Sequence, residues 1–155
     1  MEPSSKMGSY TNIIDGGNVE SMKEIDLETE KGLVTHVIDK WLEGWSRKDV
    51  DVILKYVSSD VVAHLPNMPS IIGGEELKDF FFEYYSKRPL GPVIHSKSLV
   101  DVSESGDIAY EIGGHDHVVI EESGDTHIAP WNHIIILRKI EREWKIIAIS
   151  ETNVK

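Results

Sequence analysis

From residue 93 onward the chain is a succession of β-type segments: Val93–Val102, Asp107–Glu121, His127–Ile140 and Trp144–Thr152. Each is dense in Val, Ile and aromatic residues and is bounded by turn formers. The breaks are Ser105-Gly106-Asp107, Ser123-Gly124-Asp125 and Glu141-Arg142-Glu143. Connections this short join neighbouring strands antiparallel, whereas a parallel pair needs a crossover of a dozen residues or more. The C-terminal part of the chain therefore reads as a four-strand meander. A sheet of long strands twists and has to bury one face. Only the residues ahead of it can supply the cover.

Those residues read as helical. Leu33, Val34, Val37, Ile38, Trp41, Leu42 and Trp45 recur at three- and four-residue spacing and make one apolar stripe. The helix ends between Ser46 and Lys48, and Asp49 caps a second, short helix carrying Val50, Ile53, Leu54 and Val57. A short strand, Val61–Leu65, stops at Pro66-Asn67-Met68-Pro69. Gly73-Gly74 and the acids Glu75-Glu76 open a third helix, which runs to Lys87 with Phe80, Phe81, Tyr84 and Tyr85 on its flank. Residues 1–22 have no sustained period and are expected to form a flexible N-terminal arm, with residues 23–155 as a single domain. The predicted class is α+β, with three N-terminal helices packed on a curved antiparallel β-sheet. A sheet wrapped around a long helix leaves a cone with an open mouth, which is a natural pocket.

Composition narrows the function. A chain of 155 residues without cysteine has neither disulfides nor thiolate metal ligands nor a cysteine nucleophile. Sixteen basic against 27 acidic side chains give a net charge of −11, which repels a phosphate backbone, so no nucleic-acid partner is expected. No apolar run exceeds four residues, Ile134–Leu137 being one, which is too short for a membrane span, and no secretory leader is visible, so a cytoplasmic location is expected. No Gly-rich phosphate loop, nucleophile elbow or HExxH helix occurs.

Three stretches resemble the nuclear transport factor 2 (NTF2) superfamily, which includes ketosteroid isomerases, scytalone dehydratases, SnoaL-type polyketide cyclases and DUF4440 domains. The first is Trp41-Leu42-Glu43-Gly44-Trp45-Ser46-Arg47-Lys48-Asp49-Val50-Asp51, leading to Ser59-Asp60-Val61-Val62 and Pro66. The second is Gly106-Asp107-Ile108-Ala109-Tyr110-Glu111-Ile112-Gly113, and the third is Trp144-Lys145-Ile146-Ile147. The resemblance spans residues 33–153 and implies a cystatin-like cone. Against the ketosteroid isomerases, the general-base position before the strand-ending proline is Leu65, and the oxyanion tyrosine position is Trp41. The carboxylic acid of an "Ala-Pro-x-acid-His" stretch is replaced in Ala129-Pro130-Trp131-Asn132-His133 by Asn132. Steroid isomerisation by that mechanism is therefore rejected. An amide at Asn132 still offers an oxyanion donor.

If Asn132 faces the pocket, strand parity places Ile134 with it, and Tyr110, Ile112 and Asp116 on the matching face of the preceding strand. An odd-length turn around Gly124 brings Asp116 and Asn132 nearly opposite. An Asp in an apolar pocket is then a proton carrier. The resemblance implies that His95 lines the pocket, and His64 flanks the lost base position. The expected catalytic set is Asp116, His95, Asn132 and His64. The expected substrate-binding set is Trp41, Trp45, Phe81, Tyr84, Tyr110, Ile112, Ile134 and Ser150, with either Ser150 or Glu151 reaching the mouth.

His115-Asp116-His117 with His133 invites a metal reading, but cupin-like spacing is not met. On the same parity His115, His117, Trp131 and His133 occupy the outer sheet face, where they are expected to form a homodimer interface. The expected function is a cofactor-free, metal-free SnoaL-like enzyme, an isomerase, dehydratase or cyclase acting by acid–base chemistry on a small, largely apolar molecule. The alternative is a non-catalytic ligand-binding or dimerisation module of the DUF4440 type.

Overall fold

The computed structural model describes residues 13–15, 18–20, 24–87 and 90–155. Two short strands, β1 (Ile13–Asp15) and β2 (Asn18–Glu20), pair antiparallel within the segment expected to be an arm, whose other residues lie outside the described ones. Helix α1 (Leu27–Arg47) starts at Asp26, whose side chain accepts hydrogen bonds from the backbone N–H groups of Glu28 and Thr29, at 3.1 and 3.2 Å. It stops where Lys48 turns left-handed (φ 57°). Asp49 then caps α2 (Val50–Lys55) by accepting from Val52 N–H at 3.1 Å. Strand β3 (Val57–His64), the two-residue β4 (Ile71–Ile72) and α3 (Gly74–Lys87) follow, then the meander β5 (Leu90–Val102), β6 (Ile108–Ile120), β7 (Thr126–Ile140) and β8 (Glu143–Asn153).

The sheet order is β4-β3-β8-β7-β6-β5. The four long strands and their turns stand where the sequence pattern puts them. The sheet is not wholly antiparallel, because β3 pairs parallel to β8. That closure carries the chain's second half back beside its first strand and curls the sheet over α1. The buried stripe of α1, from Val34 to Trp45, packs with Phe81 of α3 and with Ala109, Ile135, Leu137 and Ile146 of the sheet. One ion-paired cluster fixes the N-terminal end of α1 to the sheet. Glu30 accepts from Lys139 Nζ and from Trp144 Nε1, both at 2.7 Å.

The inner face of β6 and β7 is the odd-numbered one. Ala109, Glu111, Gly113, His115 and His117 are buried on β6, and His133, Ile135 and Leu137 on β7. This inverts the face expected from the sequence. Tyr110, Ile112, Ile134 and Ser150 are exposed on the outer face with Asn132, and Asp116 shares their parity. The even positions are the more apolar, so a period-two reading buries the wrong set. The odd positions prevail because small residues, Ala109 and Gly113, lie on the helix-facing side and the odd polar residues satisfy one another. Register adds a second correction. Asp116 opposes Pro130 and Asn132 opposes Gly114, two residues away from the expected pairing.

Candidate active site

The mouth of the cone is a cavity of about 320 Å³. Trp45 of α1, Phe80 and Tyr84 of α3, Leu65 at the end of β3 and Trp131 of β7 form its apolar wall. The wall is tied together edge to face: the Trp45 ring lies 4.4 Å from Phe81, 6.0 Å from Tyr84 and 5.8 Å from His117. Two ionisable side chains enter from the sheet, His117 of β6 and Glu151 of β8. Glu151 is buried, and its Oε1 has no hydrogen-bond partner among the described residues. Burial pushes its carboxyl up to about 8, so the group is a neutral acid across most of the physiological range.

Behind the mouth a hydrogen-bonded chain of side chains crosses the inner face from α1 to β7. Asp39 of α1 contacts His95 Nδ1 at 2.7 Å, and His95 Nε2 lies 3.0 Å from Glu111 Oε1. The same carboxylate oxygen is bonded to His133 Nε2, while Ser98 Oγ donates to Glu111 Oε2 at 2.7 Å. His133 Nδ1 meets His115 Nδ1 at 2.8 Å, and His115 stacks on Trp131. Burial pushes the Glu111 carboxyl up, but the hydrogen bonds from His133, His95 and Ser98 outweigh it and hold the group at about 2. The bond to Glu111, helped by Asp39, raises His95 to about 9 against the effect of burial. Burial, then the proximity of His117 and His133, holds His115 neutral with a pKa of about 3.

Two local features make this chain of groups possible. The register of β5 against β6 shifts between His95 and Lys97, and this bulge turns both His95 and Ser98 towards Glu111 although their numbers differ in parity. Gly113 leaves the necessary space: a Cβ there would lie 2.8 Å from Glu111 Oε1, 2.9 Å from His133 Nε2 and 2.4 Å from the Lys97 carbonyl oxygen.

Of the residues singled out by sequence, Trp45 and Tyr84 line the cavity, and Trp41 and Phe81 are fully buried core. His95 reaches the inner face, but its partner there is Glu111 rather than Asp116. Asp116, Asn132, Tyr110, Ile112, Ile134 and Ser150 stand on the other side of the sheet, and His64 is exposed, paired in register with Ser150. Conversely His115, His117, Trp131 and His133, expected outside, face inward. Between Ser150 and Glu151 it is Glu151 that reaches the mouth. Sequence reasoning missed Glu111, Asp39 and Ser98. Glu111 carried a signal, since a charged residue in phase with His115 and His117 belongs on whichever face they occupy.

A long helix inside a curled six-strand sheet, with a third helix closing one flank of the mouth, is a cystatin-like cone. No protein-family model and no curated protein matches the chain. Solved structures do. A ketosteroid isomerase-like protein of Erwinia carotovora atroseptica superposes with a TM-score of 0.71 at 18% identity, over 81% of this chain and 97% of that one. An NTF2-like protein with a cystatin-like fold from Novosphingobium aromaticivorans gives 0.72 at 9% identity, over 83% and 84%. A proposed dehydratase of the NTF2-like family from Streptomyces avermitilis gives 0.69 at 14%, over 83% and 98%. Identities this low carry the fold and not the reaction. Among the described residues no helix is long and apolar enough to cross a membrane.

Proposed function

We propose that the chain is an isomerase or lyase that moves a proton on a small, largely apolar substrate held in the mouth of the cone. The observation that carries this reading is Glu151, a buried carboxyl with an unpartnered oxygen on the wall of an aromatic cavity. A buried acid without a partner costs stability, so its place on a cavity wall supports a use outside the fold. With its pKa at about 8, it donates to a developing oxyanion and can take the proton back in the next step. His117 on the same wall supplies the second proton-transfer group, and Trp45, Phe80 and Tyr84 supply the apolar contact. The proposed dehydratase and the ketosteroid isomerase-like neighbour share this fold and are consistent with such chemistry.

The test is solvent exchange. A panel of small apolar ketones is incubated with the protein in heavy water, and deuterium uptake beside the carbonyl is followed by mass spectrometry. At least one ketone is expected to exchange, and Glu151→Gln is expected to slow exchange by about 100-fold or more. A ketone that stabilises the fold without exchanging would instead support a ligand-binding module. Exchange indifferent to Glu151→Gln would remove Glu151 from the mechanism. We also propose that the chain is a homodimer through the outer sheet face, with Leu99, Ile112 and Ile134 replacing the histidines expected there.

A further inference from the structure

The mouth of the cone uses His117 and Glu151 and leaves the deeper cluster without a task. His95 Nε2, Glu111 Oε1 and His133 Nε2 lie within 4.8 Å of one another, each from a different strand. We infer that these three atoms form a binding site for one divalent transition-metal ion of the iron, cobalt or zinc kind. Two imidazole nitrogens and one carboxylate oxygen are a donor set suited to such ions, and the absence of thiolate and of further carboxylates argues against copper(I) and calcium.

Geometry at the second layer distinguishes this cluster from an ordinary buried histidine pair. Each ligand atom belongs to a group whose other polar atom is already held. His95 Nδ1 is bonded to Asp39, Glu111 Oε2 accepts from Ser98, and His133 Nδ1 is bonded to His115. Metal-bound histidines are oriented in this way, by a carboxylate or other acceptor on the distal nitrogen. The ligand atoms themselves converge on one point, and the ion takes the place of the protons they now share. In a tetrahedral site with bonds of about 2.0–2.1 Å, neighbouring ligand atoms stand about 3.3 Å apart. The His95–Glu111 separation of 3.0 Å needs a few tenths of an ångström of spreading, and the shorter His133–Glu111 contact has to open further as the ion replaces the proton between them.

The close approach of Glu111 and His133 depends on the glycine at 113. Any side chain there would enter the region between Glu111 and His133, since its Cβ alone would sit within 2.9 Å of both. The site also spans the molecule. His95 is on β5 at the free edge of the sheet, and its Asp39 partner is on α1, so an ion here would clamp the edge strand and, through Asp39, the central helix. The inference does not depend on Glu151, which is not among the ligands.

Tag-free protein stripped by chelator and dialysed would be titrated with zinc by calorimetry and with cobalt by visible absorption. One ion per chain is expected, with cobalt bands of a low-symmetry site. His95→Asn, at a half-buried position, is expected to weaken binding by more than about 100-fold, and Asp39→Asn by about 10- to 100-fold. His127→Asn, on the exposed hairpin, is expected to leave affinity unchanged. Glu111→Gln tests the carboxylate directly, with circular dichroism as the check that it folds, and the His95 and Asp39 variants decide the matter if it does not. Absence of saturable binding would overturn the site. Binding unchanged by His95→Asn would overturn it equally, since the ion would then sit elsewhere. Deuterium exchange at the mouth, measured separately with Glu151→Gln, reports on the proposed reaction and not on this site.

Discussion

Glu151 shows how one residue links burial, pH and function. Its carboxyl is raised from an ordinary 4.5 to about 8, so the folded chain holds the proton more tightly than the unfolded chain does. Its unfavourable effect is therefore absent below 4.5, grows as pH rises towards 8, and is constant above that. The groups around it are His117 on the cavity wall, His133 directly opposite on β7, and Tyr84 across the mouth. No lysine or arginine among the described residues lines the cavity to relieve the charge. Glu151→Gln keeps the shape and removes the ionisation. Urea denaturation is expected to give equal stabilities for the two proteins below 4.5 and a variant more stable by roughly 3–5 kcal/mol above 8. A difference independent of pH would mean that Glu151 finds a partner in solution. The same comparison explains why such a residue persists: a group that weakens the fold at neutral pH and faces a cavity is one whose use lies outside stability.

At the scale of elements, the helices and long strands were legible and the face of the sheet was not. The stripe from Val34 to Trp45, the Asp49 cap and the turns at Gly106 and Gly124 each fix an element locally, so sequence pattern suffices for them. Which side of β6 and β7 meets α1 is decided by tertiary packing, because Ile134, Ile135, Ile136 and Leu137 are apolar on both sides. The parallel pairing of β3 with β8 joins segments from opposite ends of the domain, and no local signal announces it. The bulge after His95 was invisible for a related reason, since it exists to bring two residues of different parity to one carboxylate. Glu30 is a cheaper test of how α1 is held. Its carboxylate binds both Lys139 and Trp144, and burial, which raises its pKa, is outweighed by these two hydrogen bonds. Glu30→Ala leaves the indole N–H of Trp144 without its acceptor and is expected to cost about 1–3 kcal/mol in urea unfolding. A cost near zero would show that packing alone positions the helix.

The whole molecule carries a net charge of −11, whereas the centre of the outer sheet face is apolar, with Lys97, Asp101, Asp116 and Arg138 around it. Leu99, Ile112 and Ile134 lie in register across β5, β6 and β7 and are 61, 50 and 49% exposed. Tyr110 and Ile136 form a second, parallel row beside them. An apolar row shared by three strands supports the proposed interface. The proposed occupant is a second copy of the chain. Two such faces meeting about a twofold axis are self-complementary, and their apolar centre adds no acid-on-acid repulsion between copies. The histidines expected at this interface are instead buried in the cone, so dimerisation on the outer face would leave the cavity mouth open. Ile112→Lys places a cation at the centre of the row, where in a dimer it would be buried without a partner. Sedimentation equilibrium is expected to find a dimer for the parent chain and at least about 100-fold weaker association for the variant, with far-ultraviolet circular dichroism unchanged. A parent chain that stays monomeric at concentrations of roughly 100 times a micromolar Kd would sink the idea. So would a variant that associates as well as the parent, because the contact would then lie on another surface.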